Sequence, residues 1–212
     1  EDLAVHTMYD NSHISDTLPE VLSYADHIPQ LYIAEEEKFP HITYFLHGLS
    51  SHPLRNENKI KILSKKVLSY DKIPAMSARE VTEEVLDAIG DERYHFIGVN
   101  FANPDMIAHT GNIAATTKAV QITDTMIERI TRAILKKNGV IYIVADHGNA
   151  EYMGTEKHPT MHHSKNPVHF SIVSNNRNIR IKKRGILADV APTILGLMSI
   201  PVPKSWRKGL LR

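Results

Sequence analysis

Histidine and aspartate side chains are concentrated in one part of this sequence. The chain has 13 histidines among its 212 residues and no cysteine. Without thiolates, imidazole and carboxylate groups are the strong metal ligands that remain. Five of the histidines lie close to aspartates along the chain: Asp105, His109, Asp146, His147, His158, His162 and His163. These residues could therefore bind one cation if the fold brings them together.

The first two motifs each pair an aspartate with a histidine. Asp105 and His109 are four residues apart, so both lie on the same side of one helical turn. Taken alone, this spacing favours a capping aspartate and a surface histidine over a metal site. Asp146 and His147 directly follow the apolar segment 140–144, and Gly148 permits the sharp turn that lets both side chains converge.

The third motif, residues 158–168, holds three histidines just before another apolar segment. A single histidine there is typical of a surface, but the conjunction of three motifs at strand edges predicts a metal site. Carboxylate and imidazole ligands suit Mn²⁺ or Zn²⁺ better than Ca²⁺. Two such ions about 4 Å apart can clamp the attacking and leaving oxygens of a phosphoryl group. Phosphoryl transfer or phosphate ester hydrolysis is the chemistry that this indicates.

Strand and helix patterns alternate around these motifs and predict an α/β fold. We expect strands at 31–34, 94–101, 140–145 and 168–173, and helices at 78–89, 113–137 and 187–198. They predict a mostly parallel sheet flanked by helices on both faces. Ligand-binding loops of such sheets lie beyond the carboxyl ends of the strands, where all three motifs fall.

Three further segments carry local predictions. Residues 47–76 are irregular and polar, so the lysines of 59–66 indicate a solvated loop. Ser77 and Glu80 have the spacing of a capping box, and Gly90 is expected to end the helix. The basic segment 177–184 alternates with Ile179 and Ile181 and favours an exposed edge strand.

Bulk composition is that of a globular protein and excludes some partners. Hydrophobic residues make up 42% and charged residues 23% of the chain, with a net charge of +1. This predicts no nucleic-acid or anionic-membrane partner. The sequence has no apolar run long enough to span a bilayer and no signal peptide, and the absence of cysteine fits the cytoplasm. Because the first residue is Glu1, we expect a processed or excised piece.

The motifs together resemble the cofactor-independent phosphoglycerate mutases of the alkaline phosphatase superfamily. The similarity covers residues 28–212 nearly continuously and rests on residues 33–43, 100–111, 145–151, 163–168 and 187–195. It implies an alkaline-phosphatase-like fold and interconversion of 3-phosphoglycerate and 2-phosphoglycerate through a transiently phosphorylated serine and two Mn²⁺ ions. It also implies a small-molecule substrate and a monomeric full-length protein.

The same resemblance implies roles for individual residues. Asp105, His109 and His163 match the ligands of one metal, and Asp146 and His147 match part of the second set. His163 is preferred to His162 because it stands three residues before Asn166. Lys38 matches a catalytic lysine that approaches the phosphoryl group.

Two elements of the family pattern have no counterpart here. The nucleophilic serine and a further aspartate ligand belong to an N-terminal segment that precedes an inserted substrate-binding domain. We expect residues 1–27 to be a linker or the end of that inserted domain, and 28–212 to be the C-terminal part of the catalytic domain. The isolated chain is then expected to be inactive. A metal-dependent phosphatase, a phosphopentomutase-like relative and a non-catalytic remnant remain as alternatives.

Overall fold

The computed structural model describes residues 14–25 and 27–212. Within these residues, five α-helices and seven strands follow one another: α1 (Leu18–Tyr24), β1 (Gln30–Glu35), β2 (Glu57–Ile62), α2 (Ala78–Asp91), β3 (Phe96–Asn100), α3 (Asn103–Ala108), α4 (Ile113–Lys136), β4 (Val140–Val144), β5 (Gly154–Thr155), β6 (His158–Pro159), β7 (Phe170–Ser174) and α5 (Val190–Leu197). Short 3₁₀ turns (Glu36–Lys38, Tyr70–Lys72 and Leu187–Asp189) and a π-helical turn (His41–Phe45) connect them.

A three-stranded parallel sheet lies at the centre, in the order β2-β1-β3. Ile33 of β1 is in register with Ile60 on one side and Val99 on the other. All six residues of β1 are buried, as expected for a strand covered on both faces. Parallel strands place their carboxyl ends at one edge, so the segments after β1 and β3 start side by side.

The fourth strand belongs to a separate pair. β4 and β7 run antiparallel, with Tyr142 opposite Ile172. Among the described residues, β3 and β4 are not hydrogen-bonded to each other, and the residues of both strands are half-buried or exposed. The α/β class with a parallel sheet flanked by helices is confirmed.

Helices cover both faces of the central sheet. On one face, Leu31 and Ile33 pack with Val81 and Val85 of α2 and Ile130 of α4. On the other face, α1 and α5 form a cluster around Leu18, Leu22, Ile194 and Leu195, against which Phe96 and Tyr142 pack. Alternating strand residues thus anchor each layer.

Helix α1 lies inside the segment 1–27, where the sequence indicated only a connector. Leu22 is fully buried, so this part of the segment contributes to the core. Residues 1–13 lie outside the described part of the chain, and the division of the chain at residue 27 stays a prediction.

The predicted loop over 59–66 is wrong for its first half. Residues 57–62 form β2, the edge strand of the parallel sheet, with burial alternating along it. Lys59 and Lys61 made this strand look like a loop in the sequence. They lie on the side of the edge strand opposite Ile60 and Ile62, which pack against the core.

The predicted capping box at α2 is also wrong. The amide of Ser77 donates to the buried carboxylate of Glu35 at 3.0 Å, and the Ser77 hydroxyl donates to the Leu63 carbonyl. Glu80 instead pairs with Lys65. Gly90 lies within α2, and the helix ends at Asp91, followed by Glu92 with a φ of 55°.

The predicted edge strand over 177–184 is not formed. Only Ile181 makes an isolated antiparallel bridge, to Leu211. The basic side chains of this segment are therefore left on the surface rather than aligned along a sheet. Within the described residues, no helix is both long and apolar enough to cross a bilayer.

Candidate metal centre

The helix α3 begins just beyond the carboxyl end of β3 and presents Asp105 and His109 from one turn. The His109 amide donates to the Asp105 carbonyl at 3.1 Å, which holds the two side chains on the same side. His163 reaches them from the segment between β6 and β7, more than 50 residues further along. The site is thus built by a local helical turn and a distant loop.

Three ligand atoms converge at this point. Asp105 Oδ1 lies 3.2 Å from His109 Nε2 and 3.3 Å from His163 Nε2. The two imidazole nitrogens are 3.1 Å apart. Two donors that share one cation at bond lengths of about 2.0–2.2 Å lie about 2.8–3.6 Å apart in tetrahedral or octahedral geometry. The three separations fit a single divalent ion.

The orientation of His109 also suits a metal ligand. Its Nδ1 lies 2.8 Å from the Met161 carbonyl, which can only accept a hydrogen bond, so Nδ1 carries the proton. In the neutral ring this leaves the lone pair on Nε2, which faces Asp105 and His163. A carbonyl behind the ring is the usual way in which proteins orient histidine ligands.

His147 joins this group, whereas Asp146 lies at its margin. Ligand atoms of Asp105, His147 and His163 all lie within 4.8 Å of one another. The His147 ring stacks on that of His163, with centroids 3.6 Å apart. Asp146 contacts His147 at 3.4 Å but its side chain is 62% exposed. The buried His147 Nδ1 has no hydrogen-bond partner within the described residues, which leaves it available to a further ligand.

Lys38 lies against the central carboxylate of the site. Its Nζ is 2.6 Å from Asp105 Oδ2, and its side chain is only 11% exposed. Burial raises the pKa of Asp105, but hydrogen bonds from Lys38 and Asn149 outweigh this and hold the pKa below its usual range. Asp105 is therefore a carboxylate at neutral pH, the form that binds a cation.

Two residues of the second motif carry contacts to which the sequence assigned no role. Asn149 Nδ2 donates to Asp105 Oδ1 at 2.6 Å. Glu151 accepts the Asn149 amide at 2.6 Å, the Asn166 side-chain amide at 3.0 Å and the Ser164 hydroxyl. Glu151 thereby ties the loop that carries His147 to the loop that carries His163. Both residues lie in the motif 145–151, but its sequence does not show which residues of other segments they contact.

Gly148 is required by the close approach of the same two loops. The Ser164 amide donates to the Gly148 carbonyl at 2.8 Å. A Cβ at position 148 would collide with the Ser164 hydroxyl and the Glu151 carboxylate. The sequence suggested that Gly148 permits a sharp turn. The lack of room for a Cβ beside Ser164 and Glu151 is the stronger reason for a glycine at this position.

His41, to which the sequence assigned no role, lies close enough to the candidate metal ligands for charged groups there to shift its pKa. Burial lowers its pKa, and the Lys38 cation lowers it further, while Asp146 and Asp105 oppose the shift. Among the other histidines of the third motif, His162 faces a small surface pocket with Tyr152 and Lys165, and His158 lies in the β5–β6 hairpin.

Comparison with known proteins identifies relatives for nearly the whole chain. The sequence model of the Metalloenzyme superfamily matches residues 10–202. A 2,3-bisphosphoglycerate-independent phosphoglycerate mutase of Clostridium kluyveri is 45% identical over 202 residues, which are 94% of this chain and 39% of that protein. The corresponding protein of Antithamnion sp. is 41% identical over 204 residues, 95% of this chain and 40% of its own length.

A solved structure shows the same fold. The crystal structure of Leishmania mexicana phosphoglycerate mutase at low cobalt concentration superimposes with a TM-score of 0.87 at 25% sequence identity, and the match covers 93% of this chain and 39% of that one. The chain thus spans about two fifths of the length of the relatives it matches. By its sequence motifs, its fold and the match over residues 10–202, the chain belongs to the Metalloenzyme superfamily.

Proposed function

We propose that this chain is the metal-binding portion of a phosphoglycerate mutase that interconverts 3-phosphoglycerate and 2-phosphoglycerate. The observation that carries the proposal is the convergence of Asp105, His109 and His163 with separations of 3.1–3.3 Å between their ligand atoms. The names of the relatives favour a mutase over a phosphatase or a phosphopentomutase. The substrate is then a small phosphorylated acid.

Asp105, His109 and His163 would hold one divalent ion, and His147 with Asp146 would hold part of a second set. Mn²⁺ is the ion we propose, since two imidazoles and a carboxylate suit it. Zn²⁺ has the same ligand preferences, and the Leishmania relative was crystallised with cobalt. When bound, such ions supply positive charge that offsets the charge developing on a transferring phosphoryl group.

The residues of this chain have supporting tasks in this proposal. Lys38 adds a buried positive charge beside Asp105, where it can stabilise negative charge on phosphoryl oxygens. Asn149 fixes the orientation of the Asp105 carboxylate, and Glu151 keeps the two ligand loops together.

The nucleophilic serine and a remaining aspartate ligand would come from a segment outside this chain. The serine oxygen would form a bond to phosphorus as the bond between phosphorus and the 3-oxygen of the glycerate breaks. In a second transfer, the 2-oxygen of the same glycerate would bond to phosphorus as the bond to the serine oxygen breaks. Segment 1–27 would lead from the inserted substrate-binding domain. A monomeric, cytoplasmic full-length protein completes the proposal.

Titration of Mn²⁺ into the purified chain by calorimetry at neutral pH tests the metal site. We expect saturable binding of one ion and a loss of affinity of about tenfold or more in His163→Ala, since a ligand is removed. The adjacent His162→Ala is the matched control and should bind as the unaltered chain does. Absence of binding, or equal losses in both variants, would overturn the assignment.

A further inference from the structure

Positive charge is strongly concentrated at the C-terminal end of the chain. Residues 177–212 contain nine lysines and arginines and a single acidic residue, Asp189, whereas the first 176 residues contain 16 basic and 23 acidic residues. All nine cationic side chains are exposed. The whole chain has a net charge near zero, but residues 177–212 form a basic pole.

The tertiary structure brings two basic segments of this pole together. The Lys182 amide donates to the Leu210 carbonyl at 2.8 Å, and the Arg212 amide donates to the Arg180 carbonyl at 3.0 Å. The Lys182 ammonium donates to the Gly209 carbonyl at 2.9 Å. Segments 177–184 and 204–212, which are separated by 19 residues in sequence, thus form one basic surface.

A cavity of about 600 Å³ opens between these segments. Four cationic side chains line it, together with Asp189 and the residues Gly185 and Ile186: Lys182, Arg184, Arg207 and Lys208. None of these belongs to the candidate metal centre. Its size lies within the range of small-molecule sites in proteins.

The charges around this cavity are poorly compensated. Among the described residues that line the cavity, Asp189 is the only one with a carboxylate, and it accepts hydrogen bonds from Arg207 Nε at 3.0 Å and from the Ile186 amide at 2.9 Å. It therefore balances one of the four cations. The partner of Lys182 is a neutral carbonyl. Like charges held close together repel, and an anion placed between them would relieve this repulsion.

We infer that this cavity binds a small anion that carries at least two phosphoryl or carboxylate groups. Two guanidinium groups provide the planar, paired donors that match such groups, and two ammonium groups add point charges. The cavity is lined by no aromatic side chain within the described residues, so it has no platform on which a nucleobase could stack. This favours a compact polyanion over a nucleotide or a nucleic acid strand.

Trp206, which directly precedes Arg207, packs against the hydrophobic cluster of α1 and α5 and does not line the cavity, so the heat of binding is the signal used. A chelating resin first removes metal ions, so that phosphate cannot bind through a metal ion and no dissolved chelator competes for the cavity. Inorganic tripolyphosphate is then titrated into the 212-residue chain by calorimetry. We expect saturable binding. The double substitution Arg184→Gln and Lys208→Gln should weaken the apparent affinity by about tenfold or more, because two charge-assisted contacts are lost.

The matched control removes the same charge elsewhere, with Lys118→Gln and Lys136→Gln on α4, and its affinity should stay within about twofold of the unaltered chain. Equal losses in the two double variants would show that only net charge matters and would overturn the site. Phosphatidylserine vesicles and duplex DNA are tested in parallel. If either binds through Arg184 and Lys208 while tripolyphosphate does not, the small-anion assignment is wrong.

Discussion

At the scale of single residues, Asp105 is the centre of the candidate site. One carboxylate oxygen faces both histidines and accepts the Asn149 side chain, and the other oxygen contacts Lys38. No other carboxylate of the described residues has this set of neighbours. Its charge, more than its shape, should therefore decide whether a cation binds.

Asp105→Asn tests this because asparagine has nearly the same shape but no charge. We expect the affinity for Mn²⁺ to fall by about 100-fold, since a neutral amide is a far weaker ligand for a divalent cation and Lys38 then lacks its counterion. Calorimetry provides the measurement. Asp124→Asn, on the exposed side of α4, is the control; the charge argument fails if the two variants bind Mn²⁺ equally well.

Glu151→Gln tests the connection between the two ligand loops. The hydrogen bond from Ser164 is the main reason why the pKa of Glu151 lies below its usual range, so the residue acts as a charged acceptor. A glutamine loses one acceptor oxygen, and we expect metal affinity to fall about tenfold, as for other outer contacts of metal sites.

The exposed neighbour Glu156→Gln serves as the control for that experiment. The visible spectrum of bound Co²⁺ gives a second reading, because displaced ligand loops change its intensity. If Glu151→Gln matches the control in both affinity and spectrum, Glu151 does not position the ligands.

At the scale of secondary structure elements, the approach of the two ligand loops limits the size of residue 148. Gly148→Ala should displace the Ser164 hydroxyl and the Glu151 carboxylate that join the two loops and weaken Mn²⁺ binding by about tenfold, since the added methyl group would occupy their place. Gly90→Ala is the matched control, because nothing lies within 4 Å of its added methyl group. Within α2 that change should stabilise the fold by about 0.5–1 kcal/mol. Equal metal affinities in the two variants would contradict the steric argument.

The edge strand β2 is held by a buried contact between an imidazole and a carboxylate. His47 Nε2 lies 2.6 Å from Glu57 Oε1, both side chains are 2% exposed, and Lys59 contacts the other Glu57 oxygen at 3.0 Å. Burial raises the pKa of Glu57, but hydrogen bonds from His47 and Lys59 outweigh this and lower it below the usual value. The stabilisation is therefore present above the unfolded pKa of about 4.3 and is lost as the pH falls through the lower folded pKa.

Glu57→Gln should accordingly lower the free energy of unfolding by about 2–4 kcal/mol at pH 7, because it leaves His47 buried without its partner charge. The difference from the unaltered chain should shrink as the pH falls below about 4. Urea unfolding at several pH values gives both quantities. Glu84→Gln, exposed on α2, should change neither; a deficit independent of pH would contradict an electrostatic origin.

At the scale of the whole molecule, two features suggest that this chain forms only part of a larger fold: its length relative to its relatives and the pairing of its strands. It spans about two fifths of its relatives, and within the described residues β3 and β4 each leave one edge without a strand partner although both pack on the same hydrophobic clusters. Unpaired strand edges in the middle of a domain are costly unless another strand covers them. This agrees with the proposal that a further segment supplies the nucleophile.

We expect the isolated chain with Mn²⁺ to show no interconversion of 3-phosphoglycerate and 2-phosphoglycerate, because we propose that the serine of the phosphoenzyme lies in a segment outside this chain. Phosphorus NMR of the substrate mixture is the measurement. A fusion to the unmatched remainder of the Clostridium kluyveri relative should restore turnover. Turnover by the chain alone would contradict the proposed division of the site.

The sequence by itself determined the α/β class, most strands and helices, and the positions of Asp105, His109 and His163 at strand ends. Local spacing and apolar patterns carry this information, because they depend on neighbours within a few turns. The strand β2 was missed since lysines on an edge strand look like those of a loop.

Only the tertiary structure decided which distant groups meet. Glu35 satisfies the start of α2, Glu151 joins two loops, and segments 177–184 and 204–212 form one basic surface. Each of these contacts joins residues 15 or more positions apart, at distances set by how sheet and helices pack. Local sequence cannot encode such distances, because the same residues at the same spacing would stand apart if the layers were packed differently.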